Sequence, residues 1–289
     1  MLRVTFLSAM CCFAGGLSAA ETVIIRASQA VTPIIESAKT VVLAKHPDAV
    51  FKITPCGTKA SVEAVAGGTA QLGATARPLK AEEKTANPEL ILTEIAKDGV
   101  ALVVHASNSV ADLSPKQVVD IFTGTSTNWK DVGGPDLPIA PVGRTEANAI
   151  VEFVDGVLGL EHQAVGEGKE QGMVYKIKGT PAFASLKIPL TGKHQDALAL
   201  VARNPGGFTY LPLSIAREAK AKGTEIKILS FGGVETADAH ILSGTYKLSR
   251  SLFLLTKGTP VGIIKELVDF ILTPEGQKLV AERGGIPLK

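Results

Sequence analysis

The chain has 289 residues, 45% hydrophobic and 20% charged, with 30 Lys and Arg against 28 Asp and Glu for a formal net charge of +2. A near-neutral balance scattered along the chain argues against nucleic acid as a partner, and the length suits two α/β lobes of ordinary domain size. Cys11 and Cys12 lie in an N-terminal apolar stretch and Cys56 stands alone beyond it, so no internal disulfide is expected and the fold must rest on its core.

Arg3 followed by an apolar run over residues 4–17 and by Ser18-Ala19-Ala20 has the form of a cleavable export signal spanning residues 1–20. Met10, not a small residue, precedes Cys11, so a free periplasmic protein is expected rather than a lipid-anchored one. No later stretch has the length of a membrane helix.

Residues 23–25 read as a strand, and residues 33–46 as a helix, with Ile34, Ile35, Ala38, Val41 and Val42 on one face. Residues 50–53 are the next strand, Pro55-Cys56-Gly57 a turn, and Ser61 to Ala66 a second helix. A short strand at 71–74 and a short helix at 80–84 continue a βαβ rhythm that predicts an α/β fold with a mainly parallel sheet covered on both faces. Residues 100–105 are an apolar strand, and Ser114-Pro115 supplies an N-cap and a first helical residue. Residues 120–135 read as a long ordered loop around Trp129, residues 139–142 as a strand ending at Gly143-Arg144, and residues 147–157 as a helix. A helix at 196–202 stops at Asn204-Pro205-Gly206-Gly207, and strands follow at 208–210 and 252–255. A helix at 261–271 and a last one capped by Thr273 close the chain, with no internal repeat.

Three strand-to-helix turns carry the polar residues of interest: Ala27-Ser28-Gln29-Ala30, Gly57-Thr58-Lys59-Ala60-Ser61 and Arg144-Thr145-Glu146-Ala147-Asn148. Ligands of parallel sheets bind outside the carboxyl ends of the strands, and a helix N-terminus offers free N–H groups and a positive dipole end. Three such ends converging would hold an anion without any metal or cofactor, with Arg144 adding a planar fork. Taken singly, each residue also has a plainer reading. Ser28, Thr58 and Ser61 suit helix caps, Lys59 a solvated charge, and Arg144 with Glu146 a surface ion pair. Cys56 suits a small buried residue, and Trp129 and Tyr210 suit packing. The five histidines fit no metal-ligand spacing, and no nucleophile elbow or phosphate-loop motif is present.

Asp98-Gly99-Val100, then Asp120-Ile121-Phe122-Thr123-Gly124, then Thr127-Asn128-Trp129-Lys130-Asp131-Val132-Gly133-Gly134 resemble the segments ahead of the phosphate-binding arginine in the phosphate-binding proteins of ABC transporters. That family is a branch of the type II periplasmic binding proteins. Asn204-Pro205-Gly206-Gly207-Phe208-Thr209-Tyr210, Tyr246-Lys247-Leu248-Ser249-Arg250 and Leu272-Thr273-Pro274-Glu275-Gly276-Gln277 continue the resemblance in order over nearly the whole chain. The resemblance implies a two-lobed Venus-flytrap architecture with the ligand between lobes. Residues 21–101 and 251–289 would form one lobe and residues 102–250 the other, with crossings near 100–104 and 248–255.

The resemblance aligns the family's Gly-Ser-Gly-x-Gly turn with Gly57-Thr58-Lys59-Ala60-Ser61 and a second ligand turn with Thr75-Ala76-Arg77-Pro78-Leu79. It places Arg144 on the phosphate-binding arginine and Glu146 on the acid that orients it. Two departures stand out: Ala76 occupies the place of an acidic acceptor, and Asn148-Ala149-Ile150 replaces Ser-Gly-Thr. The expected ligand contacts are therefore Ser28, Gln29, Thr58, Lys59, Ser61, Thr75, Arg77, Arg144, Glu146 and Asn148. The expected function is oxyanion capture, phosphate first, for an ABC-transporter permease in the inner membrane, by a monomer that is not an enzyme. A receptor for another solute, a sensor and a secreted phosphatase are the alternatives.

Overall fold

A computed structural model describes residues 21–145 and 149–288. β1 (Thr22–Ser28) buries Val23, Ile25 and Ala27 on one face, and α1 (Thr32–Leu43) covers them with Ile34, Ile35, Ala38 and Val42. β2 (Val50–Cys56) pairs in parallel with β1 at the sheet edge. Pro55 and Cys56, expected in a turn, belong to this strand; an edge tolerates the N–H that proline lacks. α2 (Thr58–Ala66) and β3 (Leu72–Thr75) follow, β3 parallel to β1 on its other side, then α3 (Ala81–Ala86).

β4 (Leu90–His105) runs for 16 residues. The sequence reveals only its second half, because burial of that half on both faces gives a continuous apolar run, whereas Thr93, Glu94 and Lys97 interrupt the first. After β5 (Asp112–Leu113), α4 (Pro115–Phe122) opens on a capping box, Ser114 Oγ accepting from Gln117 N–H and Gln117 Oε1 from Ser114 N–H. Asp120, Ile121 and Phe122, expected in the loop, lie in this helix, and residues Trp129–Val132 form a 3-10 turn. Trp129 is buried and donates from its indole to Gly206 O at 3.0 Å.

β6 (Ala140–Arg144) leads into α5 (Ala149–Leu158). β7 (Leu160–Val165), β8 (Gly172–Ile177) and β9 (Ile188–Thr191) form an antiparallel edge that the βαβ rhythm does not foretell. α6 (His194–Arg203), β10 (Gly207–Pro212), α7 (Leu213–Ala221), β11 (Ile226–Ile228), β12 (Ser230–Phe231) and α8 (Asp238–Leu242) complete this region. β13 (Ser249–Lys257), α9 (Gly262–Leu272) and α10 (Pro274–Glu282) return to the first, with Thr273 Oγ1 capping α10 through Gly276 N–H at 3.1 Å.

The principal sheet has the order β2-β1-β3-β13-β4-β10-β6-β9-β8-β7, with β11 also on β4. Parallel pairs flank β1 (β2 and β3) and β6 (β10 and β9), and β4 pairs antiparallel with β13 and then with β10. Two large cores sit along it, with a small third cluster of Val62, Val65, Ala70, Leu90 and Leu255. One packs Ile25, Ile34, Ile95, Leu252 and Leu267; the other packs Val103, Phe122, Trp129, Tyr175, Phe208 and Tyr210. Phe122 anchors the second, its ring centroid 5.1 Å from Tyr175 and 5.6 Å from Tyr210, contacts worth about 0.5–1.5 kcal/mol each beyond burial. The chain passes from one core to the other between Ala96 and Val100 and back between Leu248 and Leu252.

Candidate functional site

The carboxyl ends of β1, β2 and β3 lie side by side, with Ser28 opposite Cys56 and Ala27 opposite Ala74. Ser28 is fully buried, and its Oγ has no hydrogen-bond partner among the described residues. It is no helix cap: its carbonyl, not its hydroxyl, closes the turn into α1 by accepting from Val31 N–H and Thr32 Oγ1 at 2.9 and 3.0 Å. Gln29 follows, exposed at a cleft rim.

Thr58 opens α2, whose first N–H groups have no carbonyl one turn back. Its Oγ1 accepts from Ala76 N–H at 3.2 Å, which leaves the hydroxyl proton to donate elsewhere. Ser61 is committed to the fold: it donates to Arg26 O at 2.7 Å and accepts from Ala74 N–H at 3.0 Å, tying α2 to β1 and β3. Gly73 permits that approach, since a Cβ there would lie 2.7 Å from Ser61 Oγ.

Lys59 has a side chain 82% exposed and stands 3.8 Å from Glu63, as a solvated charge does. Thr75 is buried and donates to Arg77 O at 3.0 Å. Arg77 itself is locked by two 2.8 Å bonds to Glu83 and one to Pro78 O. The Arg77 guanidinium holds the Glu83 carboxyl down at about 2. Ser61, Lys59 and Arg77 therefore serve structure or solvent, and Ser28, Thr58 and Thr75 remain together at the strand ends.

Arg144 ends β6 and is fully buried, not a surface ion pair. Nη1 donates to Thr191 Oγ1 and Lys193 O, both at 2.7 Å, and Nη2 to Gly192 O at 2.9 Å. Among the described residues its Nε has no partner and no carboxylate pairs with it. Burial pulls its pKa down, opposed by Tyr210 and Asp196. Glu146 and Asn148 lie outside the described residues. The buried hydroxyls of Tyr175 and Tyr210 interact with each other, and burial raises the pKa of each.

Between the two cores lies a cleft of about 820 Å³ lined by Gln29, Pro33, Ile150, His194, Leu213 and Arg250, among others. Arg250 pairs with Asp98 at 2.9 Å on its floor and stacks its guanidinium 5.5 Å from the Phe153 ring centroid. His194 opens α6; its Nδ1 is buried without a partner among the described residues, and burial, with Arg144 and Arg250 nearby, pushes its pKa down to about 4. Sequence reasoning assigned no role to Asp98, Arg250 or His194. None of the three had a local signal: Asp98 follows Glu94 and Lys97 in β4, Arg250 lies between two serines, and His194 follows an unassigned loop. Among the described residues no three His, Cys, Asp or Glu side chains gather as a metal would require.

Comparison with known proteins places this geometry in a family. The model of the PBP superfamily domain matches residues 14–275. The phosphate-binding protein PstS of Bacillus subtilis is 25% identical over 276 residues, covering 95% of this chain and 83% of that protein. PstS of Staphylococcus epidermidis is 28% identical over 86% of this chain and 74% of its own length. A Clostridium perfringens substrate-binding protein of a putative phosphate ABC transporter, solved with bound phosphate, superposes with a TM-score of 0.70 at 29% identity, over 93% of this chain and 100% of that one. A Vibrio cholerae phosphate transport receptor, 24% identical, shares the fold at a TM-score of 0.74 over 91% of this chain and 99% of that one. With two cores, two crossing strands and a cleft between them, the chain belongs to the PBP superfamily and has the type II periplasmic-binding-protein fold.

Proposed function

We propose that the chain is an exported receptor that binds inorganic phosphate between its lobes and delivers it to an ABC-transporter permease in the inner membrane. The observation that carries this reading is Arg144: a fully buried guanidinium with no carboxylate beside it among the described residues. A buried cation with an open donor is costly, and an anion from solution removes that penalty. The partnerless Ser28 Oγ, the free proton of Thr58 and the N-terminus of α2 supply donors for the same anion from the other lobe. The named relatives bind phosphate, and the bound phosphate of the Clostridium perfringens protein supports the same ligand class here.

Residues 21–101 with 251–289 form one moving body and residues 102–250 the other in this reading. Phosphate favours the closed arrangement because only there do both sets of donors reach it. The protein acts as a monomer in the periplasm and binds without chemistry. Titration calorimetry of the purified, phosphate-stripped protein tests the reading. Saturable 1:1 phosphate binding, lost in Arg144→Ala, supports it; absence of binding at millimolar phosphate sinks it.

A further inference from the structure

β1 carries a single charge, Arg26, two positions before Ser28 and on the same face of the sheet. That face lies under α2. Gly73, level with Arg26 on β3, would carry a Cβ 2.7 Å from Ser61 Oγ, and Ser61 donates to Arg26 O. Arg26 is level with Thr54 on β2, yet its guanidinium reaches the thiol of Cys56, two residues further on and level with Ser28. The side chain therefore leans about 7 Å along the sheet, towards the carboxyl ends of the strands. Burial pushes the Cys56 thiol up, and the Arg26 guanidinium beside it opposes that rise.

The groups gathered there are open donors. Arg26 Nε is buried without a hydrogen-bond partner among the described residues, and so is the Oγ of Ser28, a residue wholly shut off from solvent. Cys56 directly precedes Gly57, the N-cap of α2, so the guanidinium stands at the positive end of that helix. The helix dipole opposes a cation in this place, and an anion seated between the two is attracted by both. The thiol is only a weak acceptor and does not satisfy a guanidinium as an oxyanion does. Resting on the phosphate-receptor reading, we propose that Arg26 is a ligand contact of the first lobe, its guanidinium donating to an oxygen of the phosphate that Arg144 holds from the second lobe. Each lobe then brings one guanidinium, and the anion joins both only when the lobes meet, so charge drives closure.

The test is calorimetric titration of phosphate into wild type, Arg26→Gln and Arg26→Lys at low and at high salt, with thermal melts to show that each is folded. Arg26→Gln removes the charge and is expected to weaken phosphate about 10- to 100-fold and to flatten its salt dependence. Arg26→Lys keeps the charge without the fork and should fall between Arg26→Gln and wild type. Cys56 gives a second readout that needs no variant. Phosphate should slow alkylation of its thiol by iodoacetamide, because the ligand sits beside it. Wild-type affinity in Arg26→Gln, a lower Tm with the salt dependence of wild type, or an alkylation rate that phosphate leaves unchanged overturns the role of Arg26 and leaves the receptor standing. A wild type that binds no phosphate overturns the receptor reading and the role of Arg26 with it.

Discussion

Arg250 and Asp98 face each other in register across β13 and β4, and Arg250 donates from Nε and Nη2 to the same oxygen, Asp98 Oδ2, at 3.1 and 2.9 Å. Both side chains are below 10% exposed, at the place where the chain crosses between cores. The pair pins the two crossing strands together beneath the cleft, and the stacking of Arg250 on Phe153 extends the contact to α5 of the second core.

Breaking this pair by removing one partner should be severe, because the other charge stays buried. Asp98→Asn is expected to cost about 3–5 kcal/mol. For a chain of this size that is a fall in Tm of about 10 °C, read by thermal circular dichroism.

Arg144 should not tolerate lysine. Its fork makes three bonds to the 191–193 turn, and an ammonium cannot reproduce that planar arrangement. In wild type, phosphate at a thousand times its dissociation constant should add about 4 kcal/mol of stability. Arg144→Lys and Arg144→Ala should both lose that ligand-dependent rise in Tm in a melt with and without phosphate.

Ser28 and Ser61 should separate binding from stability. Ser61 Oγ satisfies Arg26 O and Ala74 N–H, so Ser61→Ala should destabilise by about 1–3 kcal/mol and leave phosphate affinity unchanged. Ser28 Oγ has no partner among the described residues, so Ser28→Ala should keep its Tm and weaken phosphate. Chemical denaturation and calorimetry on the two variants read both quantities.

Stability of the ligand-free protein should fall in two steps as the solution is acidified. His194 has a folded value of about 4 against an ordinary 6.5, so the unfolded chain takes the proton first; its contribution is full above pH 6.5 and lost as pH falls towards 4. Glu83 sits at about 2 against 4.5, so its contribution is full above pH 4.5 and lost as pH falls towards 2. Glu83 and Arg77 are partly open to water, so the lower step should be about 1 kcal/mol. His194→Gln should remove the upper step and Glu83→Gln the lower, in urea melts from pH 7.5 to 3.

The helices and parallel strands were legible because their apolar spacing matches their burial, as with Ile34, Ile35, Ala38 and Val42 on α1. Arg144 was legible as a strand-end residue, whereas Ser28 and Thr58, expected in turns, end β1 and open α2. What they do was not. Local patterns offer a hydroxyl before a helix as a cap, and only the packed structure shows Ser61 bonded to β1 and β3 while Ser28 is left open. The hairpin β7–β8 escaped because Glu161, His162 and Gln163 break the alternation that a half-buried strand shows. The Asp98–Arg250 pair joins residues 152 apart, beyond the reach of any local pattern.

β4 and β13 also govern the order in which the molecule can assemble. The second core is continuous in the chain apart from Ile286, but the first needs Leu252, Leu254, Leu267 and Ile271 from its far end. A growing chain therefore holds its N-terminal third unfinished, with β3 and β4 unpaired on the sides where β13 belongs, until the last segment arrives. The first core is therefore completed last, and the closing of β13 between β3 and β4 commits the chain to the folded state.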